Sequence, residues 1–284
     1  MGGTNKLECS FDLRTLLRDP MLPKEHGAWN ALIICLLAGW LALGAWNPAA
    51  MAASLFWLSG FILRAPYSIY RQYQKADPLK ARKALAFLMG MILVFLASGS
   101  AFYFWAPPAD LRLVLLAGIP LGAVLILWAV WKRNFRFLGI EMIGFSGVTL
   151  IVPVLYLTSP SSDPLKGLWL YGIFGGYFIL ALFYIRLRQS WVGAIRQREY
   201  LTLQRRISDG WWVLLLFCLA AELIGDGLGP LQAAPFLYAA ARTFLGVFWG
   251  RGNLPIMQLG LREMAHSAVF TAIWFWTFFG NSRG

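Results

Sequence analysis

Two histidines and three cysteines are all that the 284 residues offer to soft-metal or thiol chemistry. Cys9, Cys35 and Cys218 form no CxxC pair and no even framework, and Cys35 and Cys218 fall inside apolar runs. That argues against a disulfide and against a cysteine metal site. Acidic residues are scarce too, 13 against 25 Lys and Arg, for a net charge of +12. Charged residues make up only 13% of the chain, where a soluble domain carries about a quarter. Apolar residues take their place: 59% of the chain is hydrophobic and the mean hydropathy is +0.61. The chain reads as an integral membrane protein. In such a protein the basic excess belongs in cytoplasmic loops and reports orientation, so no nucleic-acid partner is inferred.

The N-terminal stretch is not read as a cleaved signal. The apolar run before Ala50–Ala53 is about twenty residues, too long for a signal h-region and long enough to span. Residues 1–24 form a cytoplasmic segment. Within it "FDLRTLLR", residues 11–18, mixes Leu with Arg and suits either an interfacial helix or an unstructured tail.

A span needs roughly 20 mostly apolar residues. Nine stretches qualify, at about 27–46, 49–68, 84–106, 111–131, 138–158, 167–187, 210–228, 231–250 and 262–280. The basic residues alternate between the connections. Arg64, Arg71, Lys75, Lys80, Arg82 and Lys83 lie between the second and third spans, and Lys132, Arg133 and Arg136 between the fourth and fifth. Arg186, Arg188, Arg196, Arg198, Arg205 and Arg206 lie between the sixth and seventh, and Arg251 and Arg262 between the eighth and ninth. The remaining connections hold little basic charge. This alternation predicts an inner-membrane protein with the N-terminus in the cytoplasm and the C-terminus outside.

Three spans open at the cytoplasmic side with a glutamate: Glu25, Glu141 in "LGIEMIGFSG" and Glu263 in "LGLREMAHSA". The spacings are 116 and 122 residues, and Arg64, Ser68 and Lys83 recur as Arg186, Ser190 and Arg205 at an offset of 122. The chain therefore reads as an all-α membrane bundle of two parallel four-helix repeats, about 25–131 and 138–250, plus a final helix at about 262–280, all within one domain, 25–284. Glu25, His26, Glu141, Glu263 and His266 then share one membrane depth.

"PKEHGAW", residues 23–29, at the mouth of the first span, followed by a basic connection after the second, resembles the YwiC-like family of bacterial membrane proteins. That family carries no established activity to transfer. The nine-helix layout with a cytoplasmic N-terminus and two four-helix repeats is similar to the UbiA prenyltransferase superfamily. This second resemblance implies a polyprenyl or other long-chain lipid substrate, such as an isoprenoid or quinone precursor. Enzymes of that superfamily hold a diphosphate through Mg²⁺ with Asp-rich motifs in the connections after the second and sixth helices. Here the first connection has one acid, Asp77, and the second has only Glu199 and Asp209, far apart among arginines. Two carboxylates spaced to share Mg²⁺ are missing, and a fold can persist without its usual activity.

The candidate site gathers Glu25, His26, Glu141, Glu263 and His266. On a helix, residues three apart share a face, so Glu263 and His266 point the same way. Four readings remain open for these five. Glu-x-x-His is the ligand pattern of carboxylate-bridged dinuclear centres in helical bundles; a metal would take His26, His266, Glu25 and Glu263. Two histidines can also ligate a haem axially. The same residues suit acid/base catalysis. Finally, a glutamate near a helix N-terminus favours the macrodipole and can simply brace a histidine. No cofactor is assigned. Arg64, Arg71 and Arg242 are the candidates for an anionic head, since Arg pairs bidentately with phosphate. Arg242, in "FLYAAARTFLG", lies inside a span, where charge is costly and is usually paired or functional.

Two functions follow. The first is binding or transformation of a long-chain lipid at the cytoplasmic face, a prenyltransferase-like role if enzymatic. The second is a non-catalytic accessory or assembly subunit of a respiratory-type membrane complex, partnered by other subunits. Membrane lipids are partners under both.

Overall fold

The computed structural model describes residues 26–105, 138–189, 234–248 and 256–280. The N-terminal segment, Glu25, the expected fourth and seventh spans and most of the second basic connection lie outside these residues. Among the described residues every regular element is helical. We number them α1 (His26–Leu43), α2 (Pro48–Tyr73), α3 (Pro78–Trp105), α4 (Leu138–Thr149), α5 (Ile151–Leu157), α6 (Pro164–Gln189), α7 (Ala234–Phe248) and α8 (Ile256–Gly280).

Three of these begin with an acceptor side chain followed by proline. Asn47 Oδ1 accepts from Ala49 N at 2.8 Å, Asp77 Oδ1 from Lys80 N at 3.0 Å, and Asp163 Oδ1 from Leu165 N at 2.9 Å. Each side chain satisfies an orphan N–H of the first turn. Pro48, Pro78 and Pro164 stand at the first helical position, where a missing N–H costs nothing. α1 ends differently. Gly44 takes φ +69°, and its N–H returns to Trp40 O at 3.1 Å, the left-handed cap that glycine tolerates best.

Two of the expected boundaries move. The connection between the second and third spans is not a basic loop. α2 runs on to Tyr73 and α3 starts at Pro78, so Arg64, Arg71, Lys80, Arg82 and Lys83 are helical. The expected span 138–158 is interrupted at Leu150. Pro153 has no N–H for the carbonyl of Thr149, which breaks the ladder there. Trp57 Nε1 donates to the nearby Gly147 O at 3.0 Å, linking α2 to the break.

Helix directions follow from the contacts. Phe56 meets Gly99 and Phe95 meets Gly60, so α2 and α3 run antiparallel. Trp169 stacks with Phe278 and Tyr177 with Phe270, so α6 and α8 are antiparallel as well. Asn30 meets Ser267 near one end of α1 and α8, while Trp40, Trp46 and Phe275 border one hollow near the other, so these two run parallel. The core is built by α1, α5, α6 and α8, with Ala31, Cys35, Ala38, Leu155, Phe174, Tyr177, Phe270 and Trp274 buried in it. Small residues on α1 allow close approach: a Cβ at Gly39 would stand 2.7 Å from Leu155 Cδ1.

The outer surface is apolar. Leu93 and Leu96 on α3 are 66% and 57% exposed. Trp46, Trp105 and Trp276 are exposed together at the end where α1, α3 and α8 finish, the pattern of an aromatic belt at a membrane interface. Among the described residues, three helices are long and apolar enough to cross a bilayer: Pro48–Tyr73, Pro78–Trp105 and the Pro164–Leu182 part of α6.

Candidate functional site

At the end opposite the tryptophans, four helices bring polar side chains into the apolar core. On α8, Glu263, Ser267, Phe270 and Trp274 are buried on one face, at the spacing expected of one helical stripe. On α7, Tyr238 and Arg242 are four apart and share a face. On α6, Tyr177 and Tyr184 are seven apart, two turns along one face. α1 contributes Asn30.

Ser267 ties the network together. Its Oγ accepts from Asn30 Nδ2 at 3.1 Å and from Tyr177 OH at 3.3 Å, and donates to Glu263 O at 2.8 Å. One turn earlier on α8, Glu263 Oε2 forms an ion pair with Arg242 Nη2. Both residues are buried, Arg242 at 8% and Glu263 at 4% exposure. The guanidinium carbon lies 5.0 Å from the Tyr184 ring centroid and 5.9 Å from that of Tyr177. Weak hydration and a planar face suit arginine to this setting. Glu263 Oε1 is buried and has no hydrogen-bond partner among the described residues. Beside the pair, Tyr238 OH and His266 Nδ1 are 2.7 Å apart and share a hydrogen bond.

The sequence candidates are therefore distributed unevenly. Glu263 and Arg242 meet, and His266 sits beside them. His26 is the first residue of α1 and Glu141 is in the first turn of α4; their side chains, like Glu25 as a whole, lie outside the described residues. Arg64 and Arg71 are exposed on α2, which packs chiefly on α3 and α5. Sequence reasoning missed Asn30, Tyr177, Tyr184, Tyr238 and Ser267. Tyr238 carried a signal, one turn before Arg242 in "FLYAAARTFLG"; Ser267 is likewise one turn past Glu263.

Among the described residues no three His, Cys, Asp or Glu side chains converge. Glu263 faces a guanidinium, which opposes a second cation. Asp77, the one acid of the first basic segment, caps α3 amid Lys75 and Lys80. The described residues of that segment do not fit a Mg²⁺–diphosphate site.

Residues 22–156 match the family model described as YwiC-like protein. This YwiC-like stretch runs from the "PKEHGAW" segment almost to the end of α5, across the Leu150 break, and it contains Glu25, His26 and Glu141. The Arg242–Glu263 pair lies beyond it, and α8, which carries Glu263, packs against α1 of the YwiC-like part through Asn30 and Ser267. No curated protein and no solved structure matches the chain. The apolar helices and the YwiC-like match together make this an integral membrane protein.

Proposed function

We propose that the chain is a nine-helix, UbiA-like bundle of the bacterial cytoplasmic membrane that binds or transforms a polyprenyl or other long-chain lipid from its cytoplasmic face, without Mg²⁺. The observation that carries this reading is the buried Arg242–Glu263 pair, framed by Tyr177, Tyr184 and the Tyr238–His266 bond. An ion pair of this kind is expensive in a membrane interior and is usually retained for function. Glu263 is the eighth residue of α8, about 10 Å along the helix axis at 1.5 Å per residue. That depth suits a lipid head entering from the end at which α1 and α8 begin. In this reading Arg242 receives the anionic head and Arg64 and Arg71 attract it. Glu25, His26, Glu141, Glu263 and His266 act as acid/base or orienting groups.

Register supports the repeat. Gly39 on α1 meets Leu155, a separation of 116 residues, the same as Glu25 to Glu141. Asn30 meets Ser267 at a separation of 237, one short of that from Glu25 to Glu263.

Native mass spectrometry of the protein in a mild detergent, beside Arg242→Gln, tests the reading. A retained isoprenoid, quinone or anionic lipid that is lost from the variant is expected. A metal or haem mass would overturn the metal-free reading. A bare protein, or one joined only to another subunit, would favour the accessory role.

A further inference from the structure

Arg242 is already neutralised. Any anionic head that reaches its guanidinium meets the Glu263 carboxylate at the same place, and two negative charges in a water-poor core repel strongly. Glu263 has little room to turn away, being 4% exposed on the face of α8 that packs against α6, α7 and α1. Its second oxygen, Oε1, is buried without a hydrogen-bond partner among the described residues. The arrangement can accept an anion and stay near neutral in one way, by taking up a proton.

We propose that anionic ligands bind at Arg242 only together with one proton, which Glu263 takes. This rests on the lipid-head reading of Arg242 given above. In the exchange a proton from the aqueous phase joins the Glu263 carboxylate, the Arg242–Glu263 ion pair ends, and the guanidinium pairs with the incoming anion. Charge balances at every stage: one anion and one proton enter together. The site is thereby a proton-coupled receptor for a long-chain anion.

Other charged and polar groups surround Glu263. Tyr177 and Tyr184 face the pair from α6, and Tyr238 and Arg242 from α7. His266 and the exposed Arg262 share α8 with Glu263. α1 brings Asn30, with His26 one turn earlier. The histidines are the competing source of a pH effect, and the experiment must separate them from Glu263.

The probe is geranylgeranyl sulfonate, a prenyl chain whose head keeps its charge between about pH 5 and 8. Its affinity for the detergent-solubilised protein is measured by calorimetry across that range. One coupled proton predicts an affinity that falls about tenfold per pH unit once Glu263 is ionised in the free protein. Calorimetry of the wild type in two buffers of different ionisation enthalpy should show about one proton taken up per ligand. Glu263→Gln should bind with no pH slope. His26→Gln and His266→Gln should each keep the slope, whatever their effect on the affinity itself. Saturable binding without proton uptake, a slope that persists in Glu263→Gln, or one that vanishes in either histidine variant would overturn the proposal while leaving the lipid-head reading intact. No saturable binding by either wild type or Glu263→Gln at any pH would instead overturn the lipid-head reading itself.

Discussion

Replacing Arg242 by Met should be among the most damaging single changes in this protein, and replacing Glu263 by Met as well should repair most of the damage. Glu263 is 4% exposed, and its carboxylate meets only one guanidinium among the described residues. Removing Arg242 leaves that carboxylate buried without compensation, at a cost of about 3–5 kcal/mol for breaking a buried pair. Loss of the Tyr184 and Tyr177 ring contacts adds about 0.5–2 kcal/mol. The double variant Arg242→Met, Glu263→Met removes both charges together with their desolvation penalty, and methionine fills irregular space well. It should fall within about 1 kcal/mol of the cost of the ring contacts alone, so that adding Glu263→Met to Arg242→Met recovers about 3–5 kcal/mol. Denaturation in mixed micelles, followed by the fluorescence of the 14 tryptophans, measures both variants against the unaltered protein. A double variant as unstable as Arg242→Met alone would refute the argument, because the loss would then come from the shape of the arginine and not from the stranded charge.

Two further expectations concern the scaffold. Gly39→Ala should cost about 1–3 kcal/mol through overpacking, because the new Cβ would stand 2.7 Å from Leu155 Cδ1 and 3.0 Å from its Cβ, whereas Gly90→Ala, with nothing within 4 Å, should be neutral or stabilise α3 by up to about 1 kcal/mol; the same micellar titration reads both, and equal effects would refute the close α1–α5 contact. Asn47→Ala should cost more than Asp77→Ala in thermal unfolding, since Asn47 caps α2 and also donates through Nδ2 to Thr158 O at 2.9 Å, losing a cap and a tertiary hydrogen bond of about 1 kcal/mol each, while Asp77 loses a cap alone.

How legible all this was in the sequence varies with the range of the interaction. Composition and run length suffice for a helical membrane protein, because a bilayer core forces every backbone polar group into internal hydrogen bonds. The cap-proline pairs at Asn47, Asp77 and Asp163 were also readable in principle, since a cap is decided within four residues. Reading the basic residues after the second span as a loop overlooked that local chemistry; positive charge near a span end tells which side of the membrane it faces, not whether the helix has stopped. The break at Leu150 likewise has its cause in Pro153, close at hand in the chain.

The sequence by itself determined the membrane setting, the helices, the depth shared by Glu263 and His266, and the presence of a charge at Arg242 that had to be answered by something. Only the tertiary structure decided what answers it. Arg242 and Glu263 are 21 residues apart, and Ser267 and Asn30 are 237 apart; nothing in local periodicity selects such partners. Tyr177 and Tyr184 look like any aromatic residues of an apolar helix until α7 lays a guanidinium against them. Helical pattern fixes which side chains share a face, because that is geometry within one element. Which faces meet is settled by packing, by close approaches such as Gly39 on Leu155, and by the cost of leaving a buried charge alone.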